Sequence, residues 1–221
     1  MVNSHFSLPL YIDLGATFLY ALTGAMVAMR RRYDVVGLFV LALVTGVGGA
    51  LIRDGLFIQN GPPAVMKDAR YLLAILGGCM AAGLFGHHMV RLQRGFLLAD
   101  ALGLGAYAVV GVDRALGAGL PVAAAIMVGT VNACGGGLLR DVLVREEPFM
   151  FKPGQFYVLA ALLGGGLFVV LIHYVHLPPE TAALLTIAAT FVFRALAIVF
   201  NWKTTPIWRE MLSNPPASDS K

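Results

Sequence analysis

The sequence predicts an all-α integral membrane protein of seven transmembrane helices. They form two inverted three-helix repeats followed by a seventh helix, with the second and fifth helices kinked. Three observations predict this. The first is composition: of 221 residues, 58% are hydrophobic and 13% charged, where a soluble domain carries about 25% charged residues. The mean hydropathy of +0.79 agrees. The second is a set of seven apolar runs, each near the roughly 20 residues a helix needs to cross hydrocarbon. The third is that the chain matches itself, without a gap, when slid by 87 residues.

The seven runs cover residues 10–29, 35–52, 71–90, 96–112, 121–139, 156–175 and 182–200. They are long and continuous and lack period-two alternation, so they satisfy their backbones as helices rather than as barrel strands. Asp13 opens the first run, which ends in Arg30, Arg31 and Arg32. Asp34 stands where an N-cap for the second would be. The second run carries "TGVGGALIRDG". The third ends before Arg91 and Arg94, with His87 and His88 at its close. Asp100 opens the fourth. The fifth carries "NACGGGLLRDV". The sixth ends at His173 and His176. The seventh contains Arg194, whose side chain is expected to snorkel to the cytoplasmic interface. Residues 201–221 are polar and read as a cytoplasmic tail, its end "SNPPASDSK" disordered. Trp202 and Trp208 fit an interfacial aromatic belt.

Of the 16 lysines and arginines, eleven follow runs one, three, five and seven. Four lie on the other side: Arg53, Lys67, Arg70 and Arg114. Positive residues concentrate on the cytoplasmic side, so the N-terminus is predicted outside and the C-terminus inside, in the cell's inner (plasma) membrane. The net charge of +4 and pI near 9.3 are accounted for by this placement and not by nucleic-acid binding. Cys79 and Cys134 both lie within apolar runs, so no disulfide framework is expected. The N-terminus lacks a basic n-region, and a cleaved signal peptide is not expected.

Under the 87-residue shift, Asp13 falls on Asp100, Tyr20 on Tyr107 and Gly24 on Gly111. Gly48-Gly49 falls on Gly135-Gly136, Arg53-Asp54 on Arg140-Asp141, and Gly77-Gly78 on Gly164-Gly165. Across positions 13–78, 18 of 66 residues are identical. Each copy holds three crossings, an odd number, so the second copy enters from the opposite side. The expected units are repeats at 10–90 and 96–175, an unpartnered seventh helix at 181–200 and the tail. Such architecture puts a site near the midplane, on interrupted helices in matching positions. The second and fifth helices are that pair.

Glycine costs about 1 kcal/mol relative to alanine inside a helix. The clusters Gly48-Gly49 and Gly135-Gly136-Gly137 are therefore expected to weaken or bend their helices. Carbonyls freed by a bend, with Thr45 and Asn132 just ahead, would offer oxygens to a cation in a water-filled cavity. Close helix packing is the competing role for small residues. Arg53-Asp54 and Arg140-Asp141 also have two readings. Each pair either ends its helix at the interface, or sits inside the bundle. There each arginine would pair with a carboxylate of the other repeat, or with Asp13 or Asp100. The apolar residues beyond each pair, "GLFI" and "VLV", favour the interior. Asp13 and Asp100 are otherwise dipole partners in first turns. The histidines have no zinc spacing. No Walker sequence or nucleophile elbow is present, and "GVGGAL" lacks the third glycine of a dinucleotide fingerprint. No enzyme activity, resident metal or cofactor is expected.

Two three-helix units, each with Gly-Gly–x-x-x–Arg-Asp at the end of its middle helix, plus a seventh helix, resemble the trimeric intracellular cation channels. The similarity is greatest to their bacterial and archaeal branch, whose repeat has also been labelled an uncharacterised or glycine-transporter domain. It covers about residues 10–200. The resemblance implies a homotrimer in membrane lipid, with a pore inside each protomer between the kinked second and fifth helices, passing K+ and to a lesser extent Na+ only transiently. Gly48, Gly49, Arg53, Gly135, Gly136 and Arg140 are the motif positions. The competing function is secondary transport of a small solute such as glycine, because inverted repeats are common in transporters.

Overall fold

In the computed structural model the described residues are 8–91, 93–152, 156–200 and 202. Apart from Trp202, the tail at 201–221, with Lys203, Trp208, Arg209 and Lys221, lies outside them, as do the side chains of His87 and His88. The described residues are helical, with no strand among them. Helices α1 (Leu10–Arg30), α2 (Val35–Ile52), α3 (Ala64–Lys67), α4 (Ala69–Arg91), α5 (Gln93–Gly117), α6 (Val122–Leu143), α7 (Tyr157–His173) and α8 (Pro179–Val199) follow in order. Five of the longer helices have the length and apolarity to cross a membrane; α4 and α7 contribute shorter apolar stretches, Ala69–Phe85 and Tyr157–His173.

Local chemistry sets the ends. Asp34 caps α2, its Oδ1 accepting the Gly37 N–H at 2.7 Å. α1 and α5 end in the same way. Tyr33 N–H reaches Ala28 C=O and Arg32 N–H reaches Met29 C=O. Leu120 N–H reaches Ala115 C=O and Gly119 N–H reaches Leu116 C=O. Both endings need a left-handed residue, Arg32 (φ 58°) in one and Gly119 (φ 83°) in the other, and glycine takes that conformation without a Cβ penalty. α5 begins before residue 96 and runs past residue 112 to this cap, because Asp113 and Arg114 continue the helix as polar residues.

α1 packs on α2 and α4, and α5 packs on α6 and α7. α2 against α6 and α1 against α5 join the halves, while α8 packs on α5 and α7. Tyr20, Tyr107, Met26, Leu104 and Phe168 are buried in clusters spread along these contacts. Arg194 does not snorkel. It is completely buried, its guanidinium 5.0 Å from the Tyr157 ring centre and 5.8 Å from that of Phe149. The aromatic rings of α7 and the preceding loop cover it before it can reach an interface.

Candidate functional site: the crossing of α2 and α6

The glycine clusters meet where α2 crosses α6. A Cβ on Gly49 would lie 2.0 Å from the Asn132 carbonyl oxygen, and one on Gly136 would lie 2.2 Å from the Thr45 carbonyl oxygen. A Cβ on Gly135 would lie 3.0 Å from the Gly49 Cα, and one on Gly48 2.6 Å from Leu139. At Gly49 and Gly136 no side chain fits against the facing carbonyl, so the two backbones touch, whereas at Gly48 the neighbour is the tip of the Leu139 side chain. The helical ladder is continuous through both clusters. The departure from α-geometry comes later, as a π-turn over Arg53–Ile58 that ends at left-handed Gln59. Gln59 N–H bonds to Asp54 C=O at 2.9 Å, five residues back. Glu146 N–H bonds to Asp141 C=O at 2.9 Å in the same pattern.

Polar side chains hold the crossing from both halves. The Tyr20 hydroxyl donates to Ala133 C=O at 2.5 Å, and the Tyr107 hydroxyl donates to Gly46 C=O. Gly46 and Ala133 correspond under the 87-residue shift. Thr17 Oγ1 meets the Tyr107 hydroxyl at 2.9 Å. Thr45 is buried and turns its hydroxyl back to Leu41 C=O at 2.6 Å. Asn132, also buried, donates to Tyr107 C=O at 2.7 Å, and its Oδ1 lies 3.5 Å from Arg53 Nη1.

An arginine–aspartate pair flanks the crossing at each end. Arg53 is fully buried and chelated by Asp54, with Nε to Oδ1 at 2.7 Å and Nη2 to Oδ2 at 3.1 Å. Arg140, 2% exposed, donates to Asp141 Oδ1 at 2.9 Å and lies 3.4 Å from Asp100 Oδ1 and 3.2 Å from Thr23 Oγ1. Each aspartate also ties down the following loop: Asp54 Oδ2 accepts Ala64 N–H at 3.0 Å, and Asp141 Oδ2 accepts Phe149 N–H at 2.9 Å. Each arginine therefore pairs first with its own neighbour. Arg140 adds Asp100, whereas Asp13 takes Tyr71 O–H at 2.6 Å and stands 3.6 Å from Arg114.

The two ends carry different side chains. At the Arg53 end lies a cavity of about 370 Å³, lined by Leu8, Asp13, Asp54, Lys67, Asp113 and Arg114 among others. At the Arg140 end, the Phe96 ring sits between two guanidiniums, 5.1 Å from Arg30 and 5.0 Å from Arg140, and Arg31 pairs with Glu146. Beyond the rim of the cavity, Arg70 hydrogen-bonds Asp68 and holds its carboxyl below the ordinary carboxylate range. Sequence reasoning missed Asp113, which is 97% buried (3% exposed). It has no repeat mate, since the shift places it on Met26.

A family model described as Glycine transporter matches residues 10–87 and 97–173. The chain is 36% identical over 157 residues to a UPF0126 membrane protein of Deinococcus radiodurans, covering 71% of this chain and 73% of the relative. It is 31% identical over 194 residues to the UPF0126 inner membrane protein YadS of Escherichia coli, covering 87% and 93%. Among solved structures, a TRIC trimeric intracellular cation channel orthologue from Rhodobacter sphaeroides superposes with a TM-score of 0.80 at 37% identity, over 86% of this chain and 97% of the other. The chain belongs to the trimeric intracellular cation channel family. A prokaryotic TRIC channel solved in 0.5 M KCl gives a TM-score of 0.78 at 25% identity, over 86% and 95%. In this chain the Gly-Gly–x-x-x–Arg-Asp element is built from three parts. Its glycines set the helix crossing, its arginine is buried beside that crossing, and its aspartate fastens the next loop.

Proposed function

We propose that this protein is a monovalent cation channel, with K+ as its main ion, conducting through a pore within each protomer between α2 and α6. It works as a homotrimer in the inner membrane, N-terminus outside and C-terminus cytoplasmic, and is not an enzyme. The observation that carries the reading is the likeness to the Rhodobacter sphaeroides channel orthologue, nearly end to end, at a TM-score of 0.80. The matched tyrosine, arginine and loop contacts of the two halves support inverted repeats at 10–90 and 96–175, with 181–200 as the added helix. A bend at Gly48-Gly49 and Gly135-Gly136-Gly137 would open the crossing, with Thr45 and Asn132 beside the ion. Arg53, Asp54, Arg140, Asp141, Asp13 and Asp100 brace the two mouths. A hydrated ion passing so narrow a crossing needs polar oxygens in place of its lost water.

The test is recording from purified protein in planar bilayers. Unitary currents whose reversal potential follows the K+ gradient are expected. Saturable labelled-glycine uptake in proteoliposomes without such currents would sink the channel in favour of the transporter that the family model's description suggests.

A further inference from the structure

We propose that the cavity at the Arg53 end is the cation entry site of the pore, and that Asp113, seconded by Asp13, is the carboxylate that selects cations there. The inference rests on the channel reading above.

Counting carboxylate oxygens separates the three acids of this cavity. Asp54 is spent: both oxygens are held by Arg53, and one also takes the Ala64 N–H. Asp13 uses Oδ2 for the Tyr71 hydroxyl at 2.6 Å, with Arg114 3.6 Å from the same atom. Asp113 uses Oδ2 for the Leu8 N–H at 3.1 Å. Oδ1 of Asp13 and Oδ1 of Asp113 have no hydrogen-bond partner among the described residues. Both side chains are 97% buried (3% exposed) and both line the cavity. A buried carboxylate without compensation is expensive, and a charge kept inside a membrane protein is expected to serve an ion or a partner.

Arg114 and, more weakly, Arg53 act on Asp113 through space, but neither pairs with it directly. Arg53 belongs to Asp54 and Arg114 to Asp13. Lys67 lies exposed on the rim, its Nζ 3.9 Å from where a Gly61 Cβ would be. Among the described residues Asp113 is in no ion pair. Among the described residues the opposite end shows no counterpart: Asp100 and Asp141 are both committed to Arg140, and the mate of Asp113 is the buried Met26. The fixed charge is therefore one-sided. Among the described residues no three His, Cys, Asp or Glu side chains are placed to hold a metal together. The cavity suits a monovalent cation that keeps part of its water, held loosely enough to move on.

A fixed negative charge in a low-dielectric mouth raises the local cation concentration, and salt screens it. The experiment records unitary K+ currents from wild type, Asp113→Asn and Asp113→Glu, with the Asp113 side bathed in low and then in high KCl. For Asp113→Asn at low salt, K+ current entering from that side is expected to fall at least about two-fold, converging with wild type near 1 M, where the Debye length is about 3 Å. Its K+ over Cl− permeability ratio should fall as well, while Asp113→Glu retains both. Asp113→Ser gives the same readout should the asparagine variant not assemble. Wild-type currents left unchanged at low salt by both neutral variants overturn the inference alone. Wild-type protein without currents overturns the channel reading and the inference with it.

Discussion

Gly49 and Gly136 are where this fold leaves least room. Each faces a carbonyl oxygen of the other helix at a distance no carbon can occupy, 2.0 and 2.2 Å from its would-be Cβ. Gly83 and Gly166, also helical, would meet nothing within 4 Å. The same substitution should therefore have opposite signs. At the open positions Gly→Ala removes a helix penalty of about 1 kcal/mol and should raise the melting temperature of the detergent-purified protein. At Gly49 or Gly136 the added methyl forces the helices apart, and overpacking of this kind costs about 1–3 kcal/mol, so the melting temperature should fall. Equal behaviour at all four sites would mean that the crossing has room after all. Arg53 and Arg140 differ from the glycines in what they would lose. Removing either would leave a buried carboxylate uncompensated, a loss on the order of 3–5 kcal/mol when one partner of a buried pair is deleted.

At the scale of elements, α2 and α6 are held against each other by hydroxyls from the opposite half. Tyr20 on α1 bonds to α6, and Tyr107 on α5 bonds to α2. Tyr20→Phe and Tyr107→Phe should each cost about 1–3 kcal/mol, the price of stranding a buried polar partner. The two rings stand 5.0 Å apart, and contacting residues couple. The double variant should depart from additivity by at least about 0.5 kcal/mol in denaturation measurements. Strict additivity would show that the tyrosines act on separate parts of the bundle. Much of this frame was legible in the sequence, because helical spans and fixed-register glycine and polar matches are local signals. What was not legible is non-local or leaves no compositional trace. The π-turn at Arg53–Ile58 changes only which carbonyl each N–H meets. Small residues suit bending and close packing alike, so the contact at the α2–α6 crossing needed the other helix to be seen. The burial of Arg194 depends on rings more than thirty residues away in the chain. Asp113 stood just beyond an apolar run that stops at 112, where it reads as a loop residue, and the repeat gave it no echo.

At the scale of the whole molecule, the two ends of the bundle are chemically unlike, and that predicts which way it sits. The Arg53 end has a cavity lined by Asp13, Asp54 and Asp113, with Lys67 and Arg114 as its cations. The Arg140 end carries Arg30, Arg31, Arg140 and Arg145, with Arg30 and Arg140 against the Phe96 ring. Cytoplasmic loops favour lysine and arginine, so the cavity should open outside and the arginine-rich end should face the cytoplasm. Asn60 and Glu147 are exposed at these opposite ends. In a background with Cys79 and Cys134 changed to alanine, Asn60→Cys should react with a membrane-impermeant maleimide added to spheroplasts. Glu147→Cys should react only after the membrane is opened. The reverse pattern would turn the molecule over and make Asp113 an exit group instead of an entry group. Labelling of both sites in intact spheroplasts would mean dual insertion, which two repeats of opposite orientation make conceivable and the eleven-to-four distribution of basic residues is expected to prevent.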